Sequence, residues 1–253
     1  MFNWKRLSLA VLLGVGCLLA ATAHAQEMDG NAILRKADDV ANAMKDLKFD
    51  MTMILVDKSG IEKKRVLRVW QKDKKRMTKF MEPATERGMA VLVIDDQTSF
   101  TYLPAYKKVR RIASHVRNQS LMGADFSQED LSTTHLSNDY NADLLETTAD
   151  NYLLKLTPKP DKMLSYSKLE ITLQRNTLLI TQLKYFDKIS GKHVKTEDRE
   201  NFTTIKGYTA PRHVKMTDLA SGHYTTIDMT NVEYDTNISE DIFTTRYLRR
   251  PEK

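Results

Sequence analysis

The sequence predicts an α+β protein, mainly β, built on an antiparallel sheet of about ten or eleven strands that curls into an incompletely closed barrel. Three observations support this fold class. Apolar and polar residues alternate with a period of two through most of the chain. Short turn sequences such as Ser190-Gly191 and Ser221-Gly222 separate these segments, as in a β-meander. Helix-like spacing is confined to two regions.

The first of these regions lies ahead of the strands. Asp29 is a candidate N-cap, and apolar residues recur at three- and four-residue spacing as far as Leu47. Between residues 114 and 150 the strand pattern lapses. Ser127 followed by Asp130 predicts a helix start there, and residues 143–147 a further helical turn. We expect this second region to supply a helical lid over an apolar cavity. Twelve segments have strand-like alternation, close to the estimate of ten or eleven strands for the sheet: 49–55, 62–72, 76–80, 90–94, 99–103, 107–112, 152–157, 168–175, 178–187, 194–202, 208–217 and 223–234.

The N-terminus has the features of a secretory signal peptide. A basic start, an apolar run over residues 7–21 and the cleavage pattern Ala23-His24-Ala25 follow one another. We therefore predict a cleaved segment 1–25, a single mature domain 26–253 and a periplasmic location. The only cysteine, Cys17, lies inside the signal, so a lipid anchor at that residue is not expected and the mature chain has no disulfide.

The positive charge of the chain is concentrated in two places. The formal net charge is +6, and ten Lys or Arg face two acids between Lys58 and Lys79. The second cluster consists of Lys107, Lys108, Arg110, Arg111 and Arg117. Asp125, Glu129 and Asp130 could pair with its residues 107–111 and hold the lid shut, or they could be ordinary surface acids. Such clusters suit phospholipid head groups or an acidic protein surface, whereas an exported protein is not expected to bind nucleic acid. A solvated strand face kept basic to prevent edge-to-edge association is an equally simple interpretation. Arg68, Arg110 and Arg111 are the candidates for a basic rim.

Local signatures of catalysis are missing from the sequence. It contains no Gly-x-Ser-x-Gly, no phosphate-binding glycine loop and no His-Glu-x-x-His, so we predict neither an enzyme nor a cofactor. The histidines are not at zinc-binding spacing, although His213 and His223 could face each other across a hairpin. No metal site is predicted.

Methionine is the most informative residue type. The chain has twelve, and flexible thioethers both fill core gaps and adapt to ligands of variable shape. With the nearby aromatic residues they are compatible with a cavity for acyl chains. Its candidate lining residues are Met51, Met53, Leu55, Leu67, Val69, Trp70, Phe80, Leu92, Phe100, Tyr102, Met122 and Phe126.

Motifs between Phe80 and Leu131 resemble a known family. They are Phe80-x-x-Pro83 with Gly88, Tyr102-Leu103-Pro104-Ala105 followed by a basic strand, and Met122-Gly123-Ala124-Asp125-Phe126. Together they are similar to the outer-membrane lipoprotein-sorting (LolA-like) proteins, and more to their longer branch than to the classical lipoprotein carrier. Ala124 stands where that branch usually has serine.

The resemblance implies an open barrel whose concave face binds acyl chains of a lipid or lipoprotein for transfer between the inner and outer membranes. It also implies a monomer with transient membrane contact, and an inner-membrane transporter of the resistance-nodulation-division type as a possible partner. Two other functions stay open. One is an envelope adaptor that carries no lipid and recruits a partner through its basic face, and the other is a hydrolase with a dispersed site.

Overall fold

The computed structural model describes residues 29–95, 98–113 and 119–251. Their strands are β1 Asp46–Val56, β2 Glu62–Lys72, β3 Lys75–Glu82, β4 Ala90–Asp95, β5 Thr98–Leu103, β6 Lys108–Ile112, β7 Tyr140–Thr147, β8 Asn151–Pro158, β9 Tyr166–Gln174, β10 Ile180–Asp187, β11 His193–Glu200, β12 Thr203–Ile205, β13 Tyr208–Ala210, β14 His213–Asp218 and β15 Tyr224–Tyr234. The helices are α1 Gly30–Ala41, α2 Gln128–Ser132, α3 Leu136–Asp139 and α4 Thr245–Leu248, with 3₁₀ turns at Pro104–Tyr106 and Glu240–Phe243. None of these helices is long and apolar enough to cross a lipid bilayer.

Thirteen of the described strands form one antiparallel sheet. Its order is β6-β5-β4-β3-β2-β1-β15-β14-β11-β10-β9-β8-β7, and β12 and β13 form a separate hairpin. The edge strands β6 and β7 do not pair with each other, so the sheet is not closed into a barrel. This confirms the predicted fold class, with more strands than the ten or eleven expected. The signal peptide expected at residues 1–25 lies outside the described residues.

Three predicted elements differ from the structure. Helix α1 ends at Ala41 because Leu47 already pairs with Tyr234 of β15. Residues 143–147, predicted as a helical turn, belong to strand β7, which pairs with β8. The single strand expected over 208–217 is interrupted between β13 and β14, where Pro211 provides no backbone N–H for a ladder.

The inner face of the sheet is the one covered by α1 and by residues 119–132, which we call the lid segment. Ile33, Leu34 and Ala37 of α1 are buried in the same apolar cluster as side chains from both halves of the sheet. The helix lies very close to β7, since a Cβ on Gly30 would come within 2.6 Å of the Ala142 carbonyl oxygen. Asp29 caps the helix as predicted, its side chain accepting from the Asn31 N–H.

The outer face of β2 to β5 is covered by the C-terminal residues 238–250. Ile238, Phe243 and Leu248 pack with Trp70 and other side chains of these strands in a second apolar cluster. Buried Lys79 donates to the Arg250 carbonyl oxygen at 2.6 Å from the same face. This part of the sheet is therefore buried on both faces.

Candidate functional site

A small apolar pocket lies between the inner face of β1 to β4 and the lid segment. Its volume is about 40 Å³, close to the space of a single water molecule. Alternate residues of each strand line it, because alternate side chains point to the same face of a sheet. The apolar lining residues are Met51, Met53, Leu67, Val69, Val91, Val93, Leu121 and Leu131.

Three polar residues also line the pocket: Arg76 and Thr78 of β3 and Gln128 of α2. Arg76 donates from Nη2 to Oε1 of Gln71 at 2.6 Å, while its Nε is buried without a partner. Burial lowers the pKa of Arg76 to about 10, so the guanidinium still carries its charge at neutral pH. The pocket thus combines a hydrocarbon lining with one cation.

The first part of the lid segment is held to the middle of the sheet by Asp125. Its Oδ2 accepts from the Thr225 hydroxyl at 2.7 Å, and its backbone N–H donates to the same Thr225 oxygen at 3.0 Å. Lys195 of β11 donates to the Asp125 carbonyl oxygen at 2.7 Å. Thr225 is completely buried, so its hydroxyl has no water to bond to in place of Asp125.

The second part of the lid segment is held through α2. Ser127 and Asp130 form the capping box that their spacing predicts. The Asp130 carboxylate also accepts from the Tyr166 hydroxyl at 3.3 Å and lies 3.8 Å from the Lys195 ammonium. Burial raises the pKa of Asp130. Glu129 accepts from both the hydroxyl and the N–H of Ser165.

These contacts differ from the sequence-based expectation for the lid acids. Asp125, Glu129 and Asp130 were candidates to pair with the basic residues 107–111. The hydrogen bonds described above instead connect them to β9, β11 and β15 and to Ser165 just ahead of β9. The lid segment is therefore fastened to the half of the sheet opposite β6.

The structure divides the twelve predicted cavity residues into four groups. Met51, Met53, Leu67 and Val69 line the pocket. Leu55, Phe80 and Phe126 are buried in the inner cluster beside it. Trp70, Leu92, Phe100 and Tyr102 are placed on the outer face, since they alternate with the lining residues, and they pack with the C-terminal residues. Met122 is 39% exposed on the lid segment.

The three candidate rim arginines are also separated. Arg110 and Arg111 are exposed on the free edge strand β6. Arg68 lies away from the pocket, where its Nε donates to Asp50 at 2.7 Å and its Nη2 donates to the other carboxylate oxygen at 3.2 Å. Asp50 therefore neutralises the charge of Arg68.

A second concavity, of about 380 Å³, surrounds that ion pair. Its charges are paired within the site, since Lys48 contacts Glu233 at 2.8 Å and Asn231 donates to Asp50 at 2.9 Å. A polar, open groove of this kind offers little apolar surface to a ligand. We therefore place the candidate site in the smaller pocket.

Seven lining residues were not among the sequence-based candidates: Arg76, Thr78, Val91, Val93, Leu121, Gln128 and Leu131. The apolar run 91–94 gave a partial signal, but it did not show which alternate residues face inward. In the described part of the chain no three His, Cys, Asp or Glu residues are placed to hold a metal ion. His213 contacts Asp228 at 2.7 Å, across its own hairpin.

Comparison with known proteins agrees with this geometry. A family model described as that of an uncharacterized protein matches residues 72–250. A structure described as an outer membrane lipoprotein-sorting protein domain, from Vibrio parahaemolyticus, superposes with a TM-score of 0.80 at 25% identity, covering 87% of this chain and 98% of that one. No curated protein matches the sequence.

Two further structures have the same fold. A DUF1329 family protein from Desulfovibrio piger has a TM-score of 0.77 at 26% identity, covering 85% of this chain and 98% of its own. A LolA superfamily protein from Nitrosomonas europaea has a TM-score of 0.74 at 24% identity, covering 87% and 99%. The family model covers more than half of the chain, so the chain belongs to the family of uncharacterized proteins that it describes. Its fold is shared with the outer-membrane lipoprotein-sorting and LolA superfamily structures.

Proposed function

We propose that this protein is a periplasmic carrier that shelters the acyl chains of a lipid or lipoprotein in transfer between the inner and outer membranes. The observation that carries the proposal is the apolar pocket between the sheet and the lid segment. Each methylene that enters such a site contributes about 0.8 kcal/mol, so binding needs no specific polar contact.

The present volume of the pocket bears on how cargo would enter. About 40 Å³ is far below the roughly 300–1,000 Å³ of typical ligand sites, so the pocket must widen to admit an acyl chain. Leu121 and Leu131 are the lining residues of the lid segment that must move away to admit a chain. The methionines at positions 51 and 53 can then adapt to the ligand by changing rotamer.

The exposed edge strand β6 is the second element of the proposal. Arg110 and Arg111 lie on it and would favour an anionic membrane surface or an acidic face of an inner-membrane transporter. Transporters of the resistance-nodulation-division type are the partner class that the family resemblance implies. If replacing both arginines by glutamine leaves vesicle and transporter binding unchanged, this assignment is wrong.

The pocket is tested with two substitutions on the same strand. Val91 and Ile94 lie three positions apart on β4, and Val91 faces the pocket whereas Ile94 packs in the outer cluster. We expect Val91→Phe to fill the pocket and weaken uptake of a fluorescent hexadecanoate at least tenfold, with no such effect of Ile94→Phe. The measurement is a fluorescence titration of delipidated mature protein, with melting temperatures as a folding control.

The outcome also separates the carrier from the adaptor. An adaptor that recruits a partner through the basic strand β6 would take up no hexadecanoate, and the two variants would not differ. Solvent extraction of protein purified without detergent, followed by mass spectrometry, then identifies the native cargo.

A further inference from the structure

The strongest unexplained feature of the pocket is the charge of Arg76. Its guanidinium donates to the neutral amide of Gln71, and within the described residues it forms no ion pair with a carboxylate. Two arginines of the neighbouring strand β2 do have carboxylate partners, since Arg65 makes a bidentate pair with Glu86 and Arg68 makes one with Asp50. Arg76 is half-buried, and a cation that is partly withdrawn from water without a counter-charge is costly, so proteins seldom keep one without a use for it.

A second unpaired donor faces the same pocket from the lid segment. Gln128, the first residue of α2, lines the pocket, and its Nε2 is buried without a hydrogen-bond partner. The Nε of Arg76, on the sheet side of the pocket, is also buried without a hydrogen-bond partner. Buried polar groups are nearly always paired, so two unpaired donors lining one pocket from opposite walls indicate a missing acceptor.

A third polar atom extends this row toward the sheet edge. Val93 pairs with both Arg76 and Ser99, so Ser99 occupies the same inner row two strands away, roughly 10 Å from Arg76. Its Oγ is also buried without a partner. Polar side chains therefore lie on the inner face at both β3 and β5, with Val93 of β4 between them.

We propose that the pocket recognises an amphiphile whose head carries an anionic oxygen, a carboxylate or a phosphate, bound by Arg76 and Gln128. The acceptor suits the site because both unpaired groups are N–H donors and one belongs to a cation. The hydrocarbon of the ligand would lie against Met51, Met53 and Leu67. This inference rests on the carrier function proposed above and adds the chemistry of the head group.

The arrangement also couples the cargo to the lid. Arg76 is fixed on the sheet, whereas Gln128 moves with α2, so an anionic oxygen held by both would draw the lid segment back over the pocket. A ligand with the same chain but a head that cannot accept these hydrogen bonds would leave both donors unpaired. Ligands with an anionic head would therefore both bind more tightly and close the lid segment.

The test compares ligands that share a hexadecyl chain. Hexadecanoate, hexadecyl phosphate, hexadecanol and hexadecyltrimethylammonium are titrated against delipidated mature protein below their micelle concentrations. We expect the two anions to bind at least tenfold more tightly than the alcohol and the cation to bind most weakly. The order of the two anions distinguishes a carboxylate from a phosphate cargo.

Two pocket variants and one matched control complete the experiment. Arg76→Met and Gln128→Leu should each reduce the preference for anions over hexadecanol at least tenfold, while the affinity for hexadecanol itself stays within a factor of about three. Arg35→Met removes the same charge from an exposed site on α1 and should change nothing. Because Arg76→Met removes an unpaired buried charge, its melting temperature should equal or exceed that of the wild type.

The results separate the two proposals. If all four ligands bind the wild type equally, or if Arg76→Met weakens the alcohol and the anions by the same factor, the head-group inference is wrong and the carrier stands. If none of the ligands binds the wild type, both proposals fail. Should Arg76→Met fail to fold, Gln128→Leu alone decides, because it keeps the charge and removes only a donor.

Discussion

Thr225→Val is the substitution that most directly tests how the lid segment is held. Thr225 is fully buried, and valine has nearly its shape, so packing is preserved while both hydrogen bonds to Asp125 are lost. The bond to the carboxylate is worth about 1.5–3 kcal/mol and the bond from the N–H about 0.5–1.5 kcal/mol. Asp125 is only half-buried, so in the variant water can hydrogen-bond to it and offset part of this loss of stability. We expect a net loss of about 2 kcal/mol.

The loss should appear locally rather than globally. The Leu121 N–H bonds to the Phe126 carbonyl and the Ala124 N–H to the Leu121 carbonyl, and neither group is altered by the substitution. A loss of about 2 kcal/mol in opening free energy corresponds to roughly thirtyfold faster amide exchange at these positions. Amides of β8 and β9 should exchange at unchanged rates.

Thr225→Ser is the matched control. It keeps the hydroxyl and should leave exchange at Leu121 and Ala124 within a few-fold of the wild type. The reasoning is refuted if Thr225→Val leaves these two amides as protected as before, or if serine and valine give the same acceleration. Faster fluorescent-lipid uptake by the valine variant would connect lid opening to loading.

The other predictions concern the rest of the fold. Gly30→Ala should destabilise the protein by about 1–3 kcal/mol in urea unfolding, because the new Cβ would lie 2.6 Å from the Ala142 carbonyl; stabilisation, the usual result in a helix, would contradict the close packing. The bond from Arg68 holds the pKa of Asp50 below its ordinary 3.8, so the stabilisation it provides is complete above that pH and is lost as the pH falls through the lowered pKa. The melting temperature of Asp50→Asn should therefore lie below that of the wild type at pH 6 and approach it near pH 2, and a constant difference would exclude this linkage. Phe243→Ala should cost about 3–5 kcal/mol, and a cost under 1 kcal/mol would show that the C-terminal cover does not stabilise the sheet.

Sequence patterns predicted the strands well because alternation is a local property. The predicted strand over 62–72 coincides with β2, and the capping box at Ser127 and Asp130 is present. The exception is β7, where Leu144-Leu145 interrupts the alternation, and the ladder with β8 has an irregularity between Leu144 and Glu146. Residues 140–147 form a strand because they pair with β8, and not because their own sequence alternates.

The candidate site was harder to predict because it depends on which face is inward. Val69 and Trp70 are adjacent and both apolar, so the sequence does not distinguish the residue of the pocket from the residue of the outer cluster. The outer cover comes from residues more than 160 positions away in the chain, as the bond between Lys79 and Arg250 shows. Arg76 lies in a run of basic residues, which is typical of a solvated strand face. Only the fold of the sheet shows that it lines the pocket.

The strand order has a mechanical consequence. The edge strands β6 and β7 are consecutive in sequence, while β1 and β15, near the two ends of the described chain, meet in the centre. Residues 119–139 of the connection between these edge strands are described, and Asp125 among them is hydrogen-bonded to Thr225 on β15, the central strand of the thirteen. We expect a motion that separates β6 from β7 to strain this bond. A membrane or transporter bound at β6 would then act on the lid segment and on the pocket beneath it.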